Sequence, residues 1–182
     1  MRFDTPGKGH YDTAPMPMAP DQPLDLQRLA SANPVLAQTY ELSDFGRLAD
    51  RLAETRGTAS AELALGAEEG IVVGDLRVQA DVGLTCQRCL GVVRHRLESQ
   101  SRLAFVAADG PVPGGREAIV GDPRRVFLAP LVEDELLLAL PLIARHDTAP
   151  DCDVPASVEA PAADTPPATR RPFAQLKDLL KD

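Results

Sequence analysis

The chain has 182 residues, of which 44% are hydrophobic, 4% are aromatic and none is tryptophan, so it can form one domain with a core of leucine, valine and alanine. Its net charge of −8 argues against indiscriminate binding of nucleic acid. Three cysteines, no basic-then-apolar N-terminus and no apolar run of membrane-spanning length predict a cytoplasmic protein without a disulfide framework, a secretory leader or a membrane segment.

Both ends of the chain differ in composition from its middle. The first 23 residues are rich in proline, glycine and aspartate without periodicity, which predicts disorder, and Met16 and Met18 are alternative starts to Met1. Near the other end, apolar side chains recur at helical spacing. The chain therefore divides into a disordered tail (1–23), a single α+β domain (24–146), a linker rich in proline, alanine and aspartate (147–169) and a C-terminal amphipathic helix (170–182).

The first half of the domain predicts short strands around one helix. Residues 24–30 form a helical or extended entry segment, and residues 35–42 and 58–65 have strand patterns. Between these strands, Ser43 is suited to cap a helix over residues 44–54 that has its apolar side chains on one face and an acidic residue in its first turn.

A long β-hairpin is predicted in the middle of the domain. Apolar and polar residues alternate strictly over residues 76–84 and more loosely over residues 92–106, and period two is the pattern of a half-buried strand. Cys86 and Cys89 lie on the connection between these strands. A Cys-x-x-Cys followed by glycine is typical of a zinc knuckle, in which successive N–H groups point at the thiolates and Gly91 adopts a backbone angle that a side chain would oppose.

Beyond the hairpin the pattern is less regular. Residues 109–116 contain two prolines and three glycines and predict a loop, residues 117–120 predict a short strand, and residues 124–128 predict a segment that pairs again. Pro130 is suited to the first position of a helix that Pro141 ends. Three acidic residues are expected early in this helix, where the helix dipole favours negative charge.

The later cysteine and histidine residues suggest a metal site. Cys86 and Cys89 need two further ligands, and His146 and Cys152 are later residues of suitable type, which predicts a closed structural zinc site of three cysteines and one histidine. The segment after the helix would then have to fold back over the tip of the hairpin. Two alternatives remain open. Either the cysteines are small packing residues, or Cys86 and Cys89 form a redox dithiol, which the strand-like flanks disfavour because such sites stand at a helix N-terminus.

The charge distribution favours a binding protein over an enzyme. Residues 75–105 carry a net charge of +2 within an acidic chain, whereas residues 131–168 carry −7. Arg88, Arg94 and Arg96 are the candidate contacts to RNA phosphates, against the simpler interpretation that exposed strand faces carry charge. The sequence has no phosphate-binding glycine loop and no nucleophile elbow, so neither a catalytic residue nor a small-molecule substrate is predicted.

Three blocks of sequence together carry a family resemblance. They are Leu84-Thr-Cys-Gln-Arg-Cys-Leu-Gly, Val132-Glu-Asp-Glu-Leu-Leu-Leu-Ala-Leu-Pro with Arg145-His146 and Cys152 behind it, and Arg171-Pro-Phe-Ala-Gln-Leu-Lys. In order and approximate spacing they resemble the YceD family, the bacterial large ribosomal RNA subunit accumulation proteins. The resemblance places the family's motifs on Cys86, Cys89, residues 135–141, His146 and Cys152, and it departs from the family at Ala144, where a proline is frequent.

The resemblance implies a cytoplasmic, non-enzymatic factor for the synthesis, processing or stability of 23S rRNA, acting on large-subunit rRNA or a pre-ribosomal particle. The alternative is an adaptor that holds a ribosomal protein or an RNA-processing enzyme through its acidic segment and its C-terminal helix. For the fold we expect the α+β class, with a few helices packed on a bent antiparallel sheet of about five strands, and with a partly open barrel as the alternative.

Overall fold

The computed structural model describes residues 16–17, 22–108, 110–147 and 152. Most of the predicted tail (1–23), most of the linker (147–169) and all of the C-terminal helix (170–182) lie outside the described residues, so these segments remain predictions. Within the described part, no helix combines the length and the hydrophobicity that crossing a bilayer would require.

The described residues form one sheet whose strands follow each other in chain order. The strands predicted over residues 58–65 and 76–84 are longer in the structure, the one predicted over residues 35–42 ends one residue earlier, and the bounds predicted for residues 92–106 and 117–120 are confirmed. The strands are β1 (Met16–Pro17), β2 (Val35–Glu41), β3 (Thr58–Glu68), β4 (Ile71–Thr85), β5 (Val92–Val106) and β6 (Glu117–Val120).

The sheet is mixed rather than antiparallel throughout. Strands β2 to β5 form an antiparallel meander, whereas β1 is parallel to β2 and β6 is parallel to β5. A parallel neighbour requires a connection that carries the chain back along the sheet, and the long connection from β5 to β6 does so. The α+β class is confirmed, and among the described residues the sheet stays open, because β1 and β6 are its two ends.

Short helical segments connect the strands and pack on one face of the sheet. Only one helix is longer than a single turn among the described residues. The helices are α1 (Leu26–Leu29), α2 (Gly46–Ala49) and α3 (Leu128–Leu138), and there are two 3-10 turns (Ala30–Ala32 and Leu42–Asp44).

The helix predicted over residues 44–54 is much shorter than expected. Ser43 lies inside a 3-10 turn and does not cap the helix. The chain leaves the helical conformation because the next residues bond to β4. The N–H of Ala53 donates to the carbonyl oxygen of Gly83 at 2.8 Å, and Glu54 forms an antiparallel bridge with Gly83.

Helix α3 begins earlier than the proline signal predicted. Leu128 is its first residue, so Pro130 occupies the third position, where a missing N–H still costs no intrahelical hydrogen bond. No acidic residue lies in the first turn, and the expected interaction of the acidic residues with the helix dipole is therefore wrong. In the segment before the helix, the predicted pairing is reduced to a single bridge between Leu24 and Val126.

The core lies between the inner face of the sheet and the helices. Alternate side chains of β3 and β4 point inward, which is why Leu63, Leu76 and Val78 are fully buried. Val132 and Leu136 of α3, which lie four residues apart and so on one helix face, complete this layer. Helix α3 is therefore held on the sheet by apolar burial, and its other side chains are free to make specific contacts.

Glu133 makes the most specific of these contacts. Its side chain is buried, and one carboxylate oxygen accepts hydrogen bonds from the backbone N–H groups of Arg47 at 2.8 Å and Leu48 at 3.1 Å. The other oxygen accepts from the Arg47 side chain at 2.9 and 2.8 Å. Helix α2 has no side-chain cap of its own, so Glu133 of α3 caps its N-terminus across the fold.

Burial opposes the charged form of Glu133, but the hydrogen bonds from the Arg47 side chain and from the N–H groups of Leu48 and Arg47 outweigh it. The pKa of Glu133 is consequently lowered. A carboxyl whose pKa is lower in the folded state stabilises the fold above its unfolded pKa, and this contribution is lost as the pH falls through the folded pKa.

Replacing Glu133 with glutamine should reduce the free energy of unfolding by about 2 kcal/mol at neutral pH, the upper range for losing a helix cap. Urea unfolding at several pH values measures this. The difference from the parent should shrink as the pH falls below the ordinary glutamate pKa, and it should vanish below the lowered pKa of the folded carboxyl, where the parent is protonated too.

Asp134→Asn is the matched control, because Asp134 contacts the same arginine, at 2.7 Å, but is about half exposed. Exposed ion pairs stabilise weakly, so this variant should lose much less. Equal losses in the two variants would contradict the capping role of Glu133.

Candidate metal centre

The connection between β4 and β5 is a tight turn of residues 86–91, called the knuckle here. Its ends are joined by a hydrogen bond from the Cys86 N–H to the Gly91 carbonyl oxygen at 2.8 Å, and the Leu90 N–H donates to the Cys86 carbonyl oxygen at 2.9 Å. The residue with left-handed backbone angles is Leu90, with φ of 61°, and not Gly91 as predicted. The chain reverses one residue earlier than the glycine signal indicated.

The segment that follows α3 returns to the knuckle. Ala144 is buried, and its carbonyl oxygen accepts a hydrogen bond from the Gln87 N–H at 2.9 Å. Nε2 of His146 lies 3.1 Å from the carbonyl oxygen of Val92. These two contacts hold the post-helix segment over the tip of the hairpin. The metal site predicted from the sequence requires this position of the segment.

The four predicted ligand residues meet at this point. The ligand atoms of Cys86, Cys89, His146 and Cys152 all lie within 4.8 Å of one another. The sulfur atoms of Cys86 and Cys152 are 3.8 Å apart, and the Cys89 sulfur is 3.5 Å from Nδ1 of His146. A disulfide requires sulfur atoms about 2.05 Å apart, so the three cysteines are free thiols.

The hydrogen bond of His146 sets the state of its ring. A carbonyl oxygen can only accept, so Nε2 carries the proton in the contact with Val92. In the neutral ring Nδ1 is then unprotonated, and its lone pair is directed to the cysteines. A histidine whose second nitrogen is fixed by a backbone carbonyl is the usual arrangement of a metal ligand.

The knuckle also favours negative charge on sulfur. Backbone hydrogen bonds from Cys89, and also from Arg88 and His146, lower the pKa of Cys86 to about 5, although burial acts in the opposite direction. The N–H groups of Cys89 and Arg88 in the knuckle thus favour the thiolate form of Cys86. Burial raises the pKa of Cys152 to about 11, and hydrogen bonding to Cys89 and Cys86 and the repulsion of their charged forms act in the same direction.

The redox alternative gains no support from the local structure. Cys86 and Cys89 lie in a turn between two strands and not at a helix N-terminus, and Cys86 and Cys152 are buried. Four convergent donors of sulfur and nitrogen are instead the composition with which proteins bind a metal ion in a closed site.

The three candidate RNA contacts do not converge in the same way. Arg88 is exposed on the knuckle, whereas Arg94 and Arg96 lie on the outer face of β5. Arg94 forms an ion pair with Glu54 at 2.5 Å, and Arg96 forms one with Glu98 at 2.7 Å. In the hairpin register Arg96 lies directly opposite Asp81 of β4, so an acidic neighbour for this arginine follows once the two strands are paired.

The backbone of the knuckle predicts which substitutions it tolerates. Leu90→Val should reduce the free energy of unfolding by about 1 kcal/mol, because a β-branched residue opposes left-handed angles. Gly91→Ala should change it little, because the added Cβ would meet the Cys89 sulfur at an ordinary 3.5 Å. Thermal or urea unfolding of both variants tests this, and the reverse order would show that Gly91 is the strained position.

Comparison with known proteins adds a family to this geometry. The family model described as Large ribosomal RNA subunit accumulation protein YceD matches residues 74–180, which include the knuckle, α3 and all four residues of the cluster. A protein of that name from Haemophilus influenzae is 33% identical over 123 residues, which is 64% of this chain and 70% of the relative. No solved structure matches the chain. The resemblance seen in the sequence is confirmed, and the chain belongs to the YceD family.

Proposed function

We propose that this protein is a cytoplasmic, non-enzymatic factor that supports the synthesis, processing or stability of 23S rRNA in the large ribosomal subunit. The observation that carries the proposal is the family match over residues 74–180, because it spans the parts of the fold that bear the candidate functional groups. The relative from Haemophilus influenzae has the same family name, which refers to accumulation of large-subunit RNA.

The buried polar groups support a binding role over catalysis. Glu133 is committed to capping α2, Glu135 accepts a hydrogen bond from Ser99, and Arg116 is paired with Glu68 and Asp75. A catalytic acid or base must be within hydrogen-bonding reach of a substrate, whereas these groups are hydrogen-bonded or ion-paired to other parts of the fold. Each therefore has a structural role.

We further propose that the cluster of Cys86, Cys89, His146 and Cys152 holds one zinc ion. A tetrahedral zinc ion places two sulfur ligands about 3.8 Å apart, and a sulfur and a nitrogen ligand about 3.6 Å apart, since Zn–S is about 2.3 Å and Zn–N about 2.0–2.1 Å. The measured separations are 3.8 Å between the Cys86 and Cys152 sulfur atoms and 3.5 Å between Cys89 and His146. These two separations match a tetrahedral zinc site, and all four ligand atoms lie within 4.8 Å of one another, close enough to share one ion.

A set of four protein ligands fills the coordination of zinc, so the expected role is structural. The ion would join the hairpin tip to the segment after α3, and it would neutralise the repulsion among the thiolates. Because only the folded chain brings these ligands together, binding stabilises the fold.

Protein purified without chelator should contain one zinc per chain, and both Cys152→Ser and His146→Ala should lose most of it and melt at lower temperature. Elemental analysis and thermal unfolding measure the two effects. His95→Ala is the matched control, because His95 is an exposed histidine of β5 outside the cluster and its loss should leave zinc content unchanged. Metal-free parent protein with three freely titratable thiols would contradict the zinc site.

RNA contact is proposed through Arg88, Arg94 and Arg96. The ion pairs of Arg94 and Arg96 are exposed, and such pairs stabilise by only about 0–1 kcal/mol, so a phosphate can replace the carboxylate at small cost. Arg88 has no ion-pair partner among the described residues, and it lies beside the rigid cluster. The acidic remainder of the chain keeps this association sensitive to salt.

Charge reversal tests the RNA contact. Arg88→Glu and the double variant Arg94→Glu/Arg96→Glu should each weaken co-sedimentation with large-subunit precursors at moderate salt, because phosphate contacts are lost. Arg125→Glu is the control, since Arg125 is exposed on the segment between β6 and α3.

The adaptor alternative gives a different outcome in the same experiment. It is favoured by the exposed apolar side chains of Leu142 and Ile143 within the acidic segment. If the arginine variants sediment as the parent does, and deletion of residues 170–182 abolishes sedimentation, the chain reaches the particle through a protein partner and not through RNA.

A further inference from the structure

Strand β5 has an unpaired edge. Along one side β5 pairs with β4 from Val92 to Phe105, but along the other side it pairs with β6 only from Leu103 to Val106. Within the described chain, no strand is paired to the open side of β5 before Leu103. Unpaired strand edges are templates for another extended segment, and proteins usually shorten or cover them.

The register identifies the backbone groups that face this opening. The carbonyl oxygen of Val106 accepts from the N–H of Gly121, and that of Val92 accepts from His146, so the even-numbered residues of β5 point away from β4. Arg94, Arg96, Glu98 and Gln100 therefore present their N–H and C=O groups to the open side. None of the four has a backbone partner on that side among the described residues. The opening is seven residues long, about 20 Å of strand.

Apolar surface borders the same opening. A groove of about 450 Å³ lies between α3 and the sheet where β6 begins. Its apolar lining is formed by Leu103, Ile119, Leu131, Leu137 and Leu138. Glu117, Asp134 and Glu135 also line it, so a side chain that enters this groove should be apolar and not acidic. Leu138 is 79% exposed at the end of α3, and Ile143 is 57% exposed on the segment that runs from α3 to the knuckle. An open edge beside an apolar groove is the pair of features that strand-adding peptide sites use.

We propose that this edge, from Arg94 to Gln100, together with the groove under α3, binds an extended peptide of a protein partner as an added strand of the sheet. The inference deepens the adaptor form of the proposed function and rests on it. Backbone groups of β5 would hold the peptide, and apolar side chains at alternate positions would face α3. The other side of the peptide would face Arg94, Arg96 and Glu98, which together carry a net positive charge, and so should be acidic.

Other occupants fit the edge less well. Two copies of the chain pairing antiparallel about Glu98 would place Glu98 opposite Glu98 and Arg94 opposite Arg102, and like charges opposite each other are destabilising. A pairing about Leu97 would instead place Arg96 opposite Glu98, so a second copy is a separate outcome that exchange of the edge amides in the free protein detects. RNA would contact the arginine side chains but would leave the backbone groups and the apolar groove without partners. An extended peptide can pair with the backbone edge, fill the apolar groove and contact the two arginines together.

Amide hydrogen exchange by NMR on the full-length protein tests the premise and the proposal together. The amides of Arg94, Arg96, Glu98 and Gln100 should exchange fast in the free protein, whereas those of the intervening residues should be protected by the ladder to β4. The probe is a capped synthetic peptide of roughly seven residues that alternates glutamate and valine. It should slow exchange at the edge amides by about tenfold or more, and a peptide alternating lysine and valine should not.

A proline variant separates backbone pairing from side-chain contact. Gln100→Pro removes one N–H that faces the opening and leaves the ladder to β4 intact, so the fold should persist and peptide binding should fall by about tenfold. Gln100→Ala is the control and should bind as the parent does. Co-sedimentation of Gln100→Pro with ribosomal precursors is measured in parallel, and retained sedimentation with lost peptide binding would separate this site from the RNA contact.

Three results would overturn the proposal. Slow exchange of the edge amides in the free protein would mean that the chain's own terminal segment or a second copy already covers the edge. Unchanged exchange with the acidic peptide would mean that no strand is added. Equal binding of the peptide by Gln100→Pro, or of the lysine peptide by the parent, would show that backbone pairing or charge does not determine recognition.

Discussion

The register between β4 and β5 is the constraint on which the rest of the structure depends. Fourteen consecutive residue pairs join the two strands, from Val72 with Phe105 to Thr85 with Val92. A shift by one residue would turn every inward side chain of one strand to solvent, so burial of the core permits a single register. That register places Cys86 and Cys89 at the hairpin tip and decides which backbone groups of β5 face outward.

Helix α3 contacts both the hairpin and helix α2. Its apolar face holds Val132 and Leu136 in the core, and its two buried carboxylates reach in different directions, Glu133 to the N-terminus of α2 and Glu135 to Ser99 of β5. Because the helix is fixed at several points, the segment after it has a defined start. That segment needs few residues to bring His146 beside the knuckle, and so a local cysteine pair becomes a cluster of four donors.

The charged side chains are spread over the sheet in ion pairs and do not converge as the cysteines and His146 do. Most arginines of the hairpin have an acidic residue near them, as Arg94 has Glu54 and Arg96 has Glu98, and Arg116 is buried between Glu68 and Asp75. The sheet face is therefore nearly balanced in charge, and a nucleic acid would have to exchange existing partners. Among the residues that the structure describes, the distinctive surfaces are the knuckle, where Arg88 has no ion pair, and the open edge of β5 beside α3.

The sequence by itself determined the features that depend on neighbours in the chain. Local sequence pattern predicted β5, from its alternation, and β6 with their correct bounds, and the spacing of Cys86 and Cys89 predicted the knuckle, because strand faces and tight turns are set within a few residues. Residue type also suggested His146 and Cys152, but only the tertiary structure decided that they converge. It likewise decided the parallel pairing of β6 and the capping of α2 by Glu133. Each of these depends on contacts between parts of the chain that no local pattern records, since hydrogen bonds across the fold override the preference of a single residue.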